Sequence, residues 1–324
     1  MKKIKLIYNE LDYSTFRMGC IQPIVEQVFD FVQWDPAINY GSGHAVLTTF
    51  QTDFDPNAWF RPLMNQGIRV IVDHLWDSDV DTPSRNLGQK LDLRSGHWSW
   101  YSTALRAHDD GFREYRPQRN LTHDFLMLMY KLRDHRDRIT QELAHELQTA
   151  RWSYVERGRF IGDPLERETG IYWPFYMNPQ WYDSTRFSVV VESWMRGDAW
   201  YVSHSYPNYK TEVSEKVYKP LAWFHPFIVM GSADTLQFLQ RQGFETFSEL
   251  WDESYDTITG DNDRFNAVVS LVRDVVKQHN SKSTSFDSIT EEKLKHNHHR
   301  FFDIPLISQR VRDEILTDVE AFLS

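Results

Sequence analysis

Residues 212–229 read EVSEKVYKPLAWFHPFIV. A Ser-Glu-Lys tripeptide, Ser214 to Lys216, opens a short helical run; Lys219 and Pro220 follow, and Phe227 begins an apolar strand pattern. The first turn of a helix presents backbone N–H groups without intrahelical partners and a partial positive charge, both of which favour a phosphate. A carboxylate at that turn can accept hydrogen bonds from ribose hydroxyls, and an ammonium can face a phosphate. Glu215 and Lys216 supply those two groups, so the order of residues predicts a nucleotide-sugar pocket.

On either side of this run the chain alternates strand and helix signals. Downstream, Ala233 to Gln242 carries a helical pattern closed by Gly243, and Arg264 to Gln278 sets Phe265, Val268, Val269, Val272, Val275 and Val276 on one helix face. Upstream, Arg186 to Glu192 is a strand centred on three valines and ending in a carboxylate. Asp124 to Tyr130 is another, followed by a helix capped at Asp134 with Ile139, Leu143 and Leu147 turned inward. The first part repeats the theme. Lys3 to Tyr8 is a strand, and Ile21 to Val32 is a helix with Ile24, Val25, Val28, Phe29 and Val32 on one face. His44 to Phe50 and Ile68 to Trp76 are strands, the second apolar enough for a parallel sheet covered on both faces. Residues 80–120 read as long loops leaving a first domain. Two successive α/β halves predict twin Rossmann-like domains facing each other, residues 1–120 and 121–304, with a helix in 305–324 crossing back onto the first.

Composition narrows the partners. A formal charge of −10 over 324 residues argues against an extended duplex-DNA footprint, which needs a basic face to displace counterions. One cysteine, Cys20, cannot form an internal disulfide and fits a reducing, cytoplasmic location. The opening MKKIKLIYNE lacks the apolar core of a secretion signal, and the longest apolar runs are far shorter than the roughly 20 residues that cross a bilayer, so no membrane insertion is expected.

The segment from Tyr209 to Asp256 resembles the C-terminal part of phage-encoded and bacterial glycosyltransferase-like proteins, which are distantly similar to fucosyltransferases. The matching pieces are Ser214-Glu215-Lys216, Lys219-Pro220, His225-Pro226-Phe227, Leu239, Gly243-Phe244, the DESYD run from Asp252 to Asp256, and Arg264; His135-Arg136 and His296-Asn297 match more weakly. The resemblance implies a two-Rossmann, GT-B-type glycosyltransferase with a nucleotide-sugar donor held by the second domain and transferred with inversion. It covers about residues 124–297 and says little of residues 1–120.

Such a transfer needs positive charge where the diphosphate leaves and a general base on the acceptor side. Lys216 is the first candidate for the diphosphate, supported by Arg136 at a strand-to-helix turn; Glu215 is the ribose contact, and Ser214 and Lys219 belong to the same turn. Glu192 ends a strand of the second half, the end that faces the ligand crevice in open α/β sheets. The base candidates are Asp73, Glu10 and Asp77, at or just beyond first-half strands. His225 before a buried strand reads as structural, and the acids from Glu249 to Asp256 as a solvated loop or capped turn. Asp77-Ser78-Asp79 spells a D-x-D metal motif, but the donor signature favours metal-free transfer with no cofactor. His296, His298 and His299 are too close in sequence to chelate one ion together.

Two acceptors fit. One is a glycan, with Trp98, Trp100, Tyr101 and Tyr115 as stacking faces. The other, which the resemblance to phage-encoded proteins implies and charge does not show, is a hydroxymethylated pyrimidine in phage-type DNA; residues 91–138, with eight Arg and Lys131 against seven acids, leave room for a local nucleic-acid cleft. The sequence holds no G-x-S-x-G elbow, no P-loop and no G-x-G-x-x-G fingerprint, which sets aside hydrolase, P-loop kinase and dinucleotide oxidoreductase readings. The remaining alternative is a catalytically inactive sugar- or nucleotide-binding protein of the same fold.

Overall fold

The computed structural model describes residues 4–8, 29–33, 45–49, 69–73, 97–159, 178–193, 213–279 and 286–323, with a few single positions between them. The chain is α/β. Strands β1 (Ile4–Tyr8), β2 (Phe29–Gln33), β3 (Ala45–Thr49) and β4 (Arg69–Asp73) form a parallel sheet in the order β2-β1-β3-β4. Phe29–Gln33 therefore corrects the helix expected up to Val32. It pairs with β1 residue for residue, Ile4 opposite Phe29 through Tyr8 opposite Gln33. Val28, Phe29 and Val32 satisfy a helical spacing, but FDFVQ also satisfies a strand alternation, and a window this short holds both periods until a partner strand selects one.

Helix α1 (His97–Asp109) occupies part of the region expected as loop. Trp100, Tyr101, Ala104 and Ala107 are fully buried on it, at the three- and four-residue spacing of one helix face. The breakers Pro83, Gly88 and Gly96 all precede this stretch, which is why composition over the whole region misleads.

A second sheet follows. It is built from β5 (His123–Met129), α2 (Asp134–Glu142), β6 (Arg151–Tyr154), α3 (Pro179–Asp183), β7 (Thr185–Val191), α4 (Glu215–Ala222) and β8 (Phe227–Met230). Its strands are parallel in the order β6-β5-β7-β8. The two sheets thus share one connectivity: the first strand lies between the second and third, and the fourth joins the third. Strand β6 gives no sequence signal, being four residues, Arg-Trp-Ser-Tyr, without an apolar run. Helices α5 (Thr235–Arg241), α6 (Asp261–His279), α7 (Ser288–Phe301) and α8 (Ile304–Leu323) complete the chain.

The chain separates into two compact units, Met1–Ser102 with Ser203–Tyr206 and Ile304–Ser324, and Thr103–Val202 with Pro207–Asp303. This division lies earlier than the boundary expected near 120, because the preceding residues are tied into the second unit. Asn120 N–H donates to the Asp183 carbonyl at 2.9 Å, Gln118 N–H to the Asp183 carboxylate at 3.0 Å, and Arg119 to the Phe224 carbonyl at 2.7 Å.

The core of the second unit follows from its sequence. Val189, Val190 and Val191 of β7 and Phe227 to Met230 of β8 are buried, as a parallel sheet covered on both faces requires. Helix α6 lays Phe265, Val268, Val269, Val272, Val275 and Val276 inward, each contributing about 1.5 to 3 kcal/mol by leaving water. Gly243, with φ of 87°, ends α5 in the left-handed conformation that glycine adopts without steric cost. Among the described residues no helix is long and apolar enough to cross a membrane.

Candidate functional site

Ligands of open parallel sheets lodge beyond the carboxyl ends of the strands, where successive connections leave in opposite directions. In the second sheet that point lies between β5, whose chain proceeds to β6 on one side, and β7, whose chain proceeds to β8 on the other. The chain leaving β5 carries His135 and Arg136 into the first turn of α2; the chain leaving β7 begins with Glu192. The first turn of α4 joins them.

Glu192 is fully buried. Its Oε1 accepts the backbone N–H of Ser214 at 3.0 Å, and its Oε2 accepts the Ser214 hydroxyl at 2.6 Å. Ser214 caps α4: its Oγ accepts from Lys216 N at 3.4 Å and from Lys216 Nζ at 2.9 Å. The same Nζ lies 2.9 Å from Glu215 Oε1 and 3.7 Å from Glu192 Oε2. Ser214 and Lys216 of one helix turn thus meet a carboxylate delivered by a strand end, and the Lys216 side chain is 20% exposed. Gly231, just past β8, leaves room for this carboxylate; a Cβ there would stand 3.3 Å from Glu192 Cγ.

Charge balance fixes the protonation states. Burial opposes the charged form of Lys216, but the Glu215 and Glu192 carboxylates outweigh it and hold the ammonium above its usual range. Burial likewise opposes ionisation of Glu215, while Lys216 and Lys219 hold its carboxyl below the usual range. Lys219, one helical turn from Glu215, is lowered to about 8 by burial, only partly offset by Glu215. Arg136 is lowered to about 10, first by burial, and remains charged at neutral pH.

The predicted donor residues Glu192, Ser214, Glu215, Lys216 and Lys219 all lie at or beside the first turn of α4. Arg136 shares the same sheet edge, where its guanidinium donates to the Lys131 carbonyl at 3.0 Å and the Val191 carbonyl at 3.1 Å. It braces the exits of β5 and β7 against each other. His135 Nε2 adds a second brace, 2.9 Å from the Glu192 carbonyl oxygen. Of the base candidates, Asp73 is the last residue of β4, opposite Thr49; Glu10 and Asp77, with Asp79, lie outside the described residues.

Several side chains have structural work instead. The DESYD run is part of the packing: Asp256 accepts the N–H groups of Leu236 and Gln237 and so caps α5, Tyr255 accepts the Val229 N–H, and Glu253 accepts that of Phe247. His225 is buried between the Thr185 carbonyl and Ser188 Oγ, both at 2.8 Å, in agreement with a structural histidine. His298 faces the carbonyls of Ala222 and Arg113, and His296 that of Gly243. Trp100 and Tyr101 are fully buried and so offer no stacking face to a glycan, whereas Tyr115 is half-buried, edge-on against Trp223 with its hydroxyl on Asp183.

No family model and no curated relative matches the chain. A solved pyruvate reductase of Chlamydomonas reinhardtii aligns over 96% of this chain and 97% of its own, at 10% identity and a TM-score of 0.25. A likeness that shallow carries no argument. Sequence reasoning passed over Gly231, for which the glycine directly after an apolar strand was the available signal, and the residues of β6, for which no signal existed.

Proposed function

We propose that the chain is a nucleotide-sugar-dependent inverting glycosyltransferase of the two-Rossmann, GT-B type, akin to the phage and bacterial glycosyltransferase-like proteins that its Ser214 to Asp256 motifs resemble. What supports the reading is the placement of Lys216: a partly exposed side chain whose ammonium is clamped by Glu215 and Ser214 at a helix N-terminus, beside the point of the sheet where ligands lodge.

The chemistry follows from that placement. As the bond from the anomeric carbon to the diphosphate breaks, its electron pair goes to the departing oxygen. Lys216 and the N–H groups of the first turn of α4 are disposed to stabilise the charge that develops there. Glu215 takes the ribose hydroxyls. The acceptor hydroxyl forms the new bond from the opposite face and yields its proton to a carboxylate, for which Asp73, Glu10 and Asp77 are the candidates. Lysine charge takes the place of a divalent cation, so the transfer is metal-independent. The acceptor is a hydroxyl of a glycan or of a hydroxymethylated pyrimidine in DNA.

The test is nucleotide release from a panel of nucleotide sugars, with and without glucan or hydroxymethylated DNA, in the presence and absence of EDTA. Release that depends on one acceptor establishes the activity and selects that acceptor. A donor that binds but never turns over selects a non-catalytic binding protein, and failure of every donor to bind overturns the reading.

A further inference from the structure

Between α2 and the edge strand β6 lies a cavity of about 460 Å³, lined by residues that the donor turn does not use. Its walls come from the end of β6, from the residues that follow it, and from α2. Arg159 lays its guanidinium over the Trp152 ring, 4.1 Å from the centroid, and its Nε donates to the Trp152 carbonyl at 3.2 Å. The guanidinium is thus held at the indole while the side chain as a whole is exposed. Opposite the pair, Asp137 receives Arg157 Nε and Nη2 at 3.0 and 2.6 Å, which holds its carboxyl below the usual range. Gln141, one turn further along α2, adds an amide to the lining.

A guanidinium held over an aromatic ring makes, with that ring, a surface on which heterocyclic bases stack. The fixed carboxylate–guanidinium pair and the amide offer both donors and acceptors to the edge of such a base. Helix α2 links the cavity to the donor turn in the fold. Arg136 on that helix reaches the end of β7, Asp137 lines the cavity, and the Tyr154 hydroxyl, which also lines it, accepts Arg133 N–H at 3.3 Å where the helix begins. β6 and β7 are two strand spacings apart, about 10 Å, and α2 follows the strand that lies between them.

We propose that this cavity receives the nucleobase of the donor, stacked on the Arg159–Trp152 pair with its polar edge toward Gln141 and the Asp137–Arg157 pair. The assignment rests on the donor site at Lys216 proposed above, and it makes this cavity the element that selects one nucleotide over another.

Calorimetric titration of the full chain with nucleoside diphosphates and, separately, with inorganic pyrophosphate tests it. Trp152→Ala and Arg159→Ala are expected to weaken the nucleoside diphosphate by about tenfold or more, as loss of a base-stacking surface does. Pyrophosphate affinity stays unchanged, and Trp152→Phe retains most of the affinity for the nucleoside diphosphate. Unchanged nucleoside diphosphate affinity in both alanine variants, with Lys216→Ala still abolishing it, overturns the nucleobase site and leaves the donor reading standing. An equal loss of both probes in the alanine variants also overturns it. A wild-type chain that binds neither probe overturns the site and the donor reading together.

Discussion

The Glu192 carboxylate holds both the backbone N–H and the hydroxyl of Ser214, at 3.0 and 2.6 Å, and so pins the first turn of α4 to the end of β7. The residues are 22 positions apart, and the carboxylate is fully buried. Removing it leaves two donors and a nearby ammonium without their acceptor. Glu192→Ala is expected to lower unfolding free energy by about 2 to 3 kcal/mol, read from the shift of a urea unfolding curve at constant slope. Glu192→Gln retains one carbonyl acceptor and recovers part of the loss. An alanine variant as stable as wild type shows that the pin is not needed.

Lys216 is read by binding and by folding together. Its ammonium pairs with Ser214 and Glu215 of its own turn and stands 3.7 Å from the buried Glu192 carboxylate, so Lys216→Ala leaves buried acceptors unpaired and is expected to cost about 1 to 3 kcal/mol. Donor affinity falls by tenfold or more if the ammonium faces the diphosphate. Equal donor affinity in the variant removes Lys216 from the site.

Gly231 tests the site from the other side. Its backbone is not in the left-handed region, so Gly231→Ala acts through contact alone: the new methyl stands 3.3 Å from both Glu192 Cγ and Val229 Cγ1. Overpacking of this kind costs about 1 to 3 kcal/mol, and displacement of Glu192 is expected to loosen the Ser214 cap and weaken donor binding. Unaltered donor affinity with a well-folded variant shows that the carboxylate can move without consequence.

His225 sets an acid limit on stability. Burial lowers it to about 3 from an ordinary 6.5. Between those values the unfolded chain binds a proton that the folded chain refuses, so stability rises with pH across this window and is lost as pH falls below about 6.5. The loss reaches about 2 to 3 kcal/mol by pH 4.5, seen as a falling melting temperature. His225→Gln keeps a donor for the Thr185 carbonyl and is expected to flatten the dependence; an equally steep profile in the variant assigns the acid sensitivity elsewhere.

Strands whose residues are uniformly apolar could be read directly from the letters. Val189 to Val191 and Phe227 to Met230 announce themselves because a strand covered on both faces must be apolar throughout, and α6 does so because its valines recur at three and four residues. Ser214 before Glu215 and Lys216 is legible as a helix start for the same local reason: the cap bonds within two residues. The resemblance then assigned those residues a chemistry. Elements whose identity depends on a distant partner were not legible. Phe29–Gln33 became a strand only by pairing with β1, and β6 only by pairing with β5.

The same division holds at the site. Local chemistry in the chain established that a helix N-terminus bearing a carboxylate and an ammonium follows a strand ending in Glu192. Tertiary structure decided that Glu192 binds Ser214, that Arg136 serves the carbonyls at two strand exits, and that Asp256 caps α5. The bonds from Ser214 to Glu192, from Arg136 to Val191 and from Leu236 to Asp256 join residues 22, 55 and 20 positions apart. Which donor meets which acceptor is fixed by the order and register of the strands that carry them, and no window of sequence contains both partners.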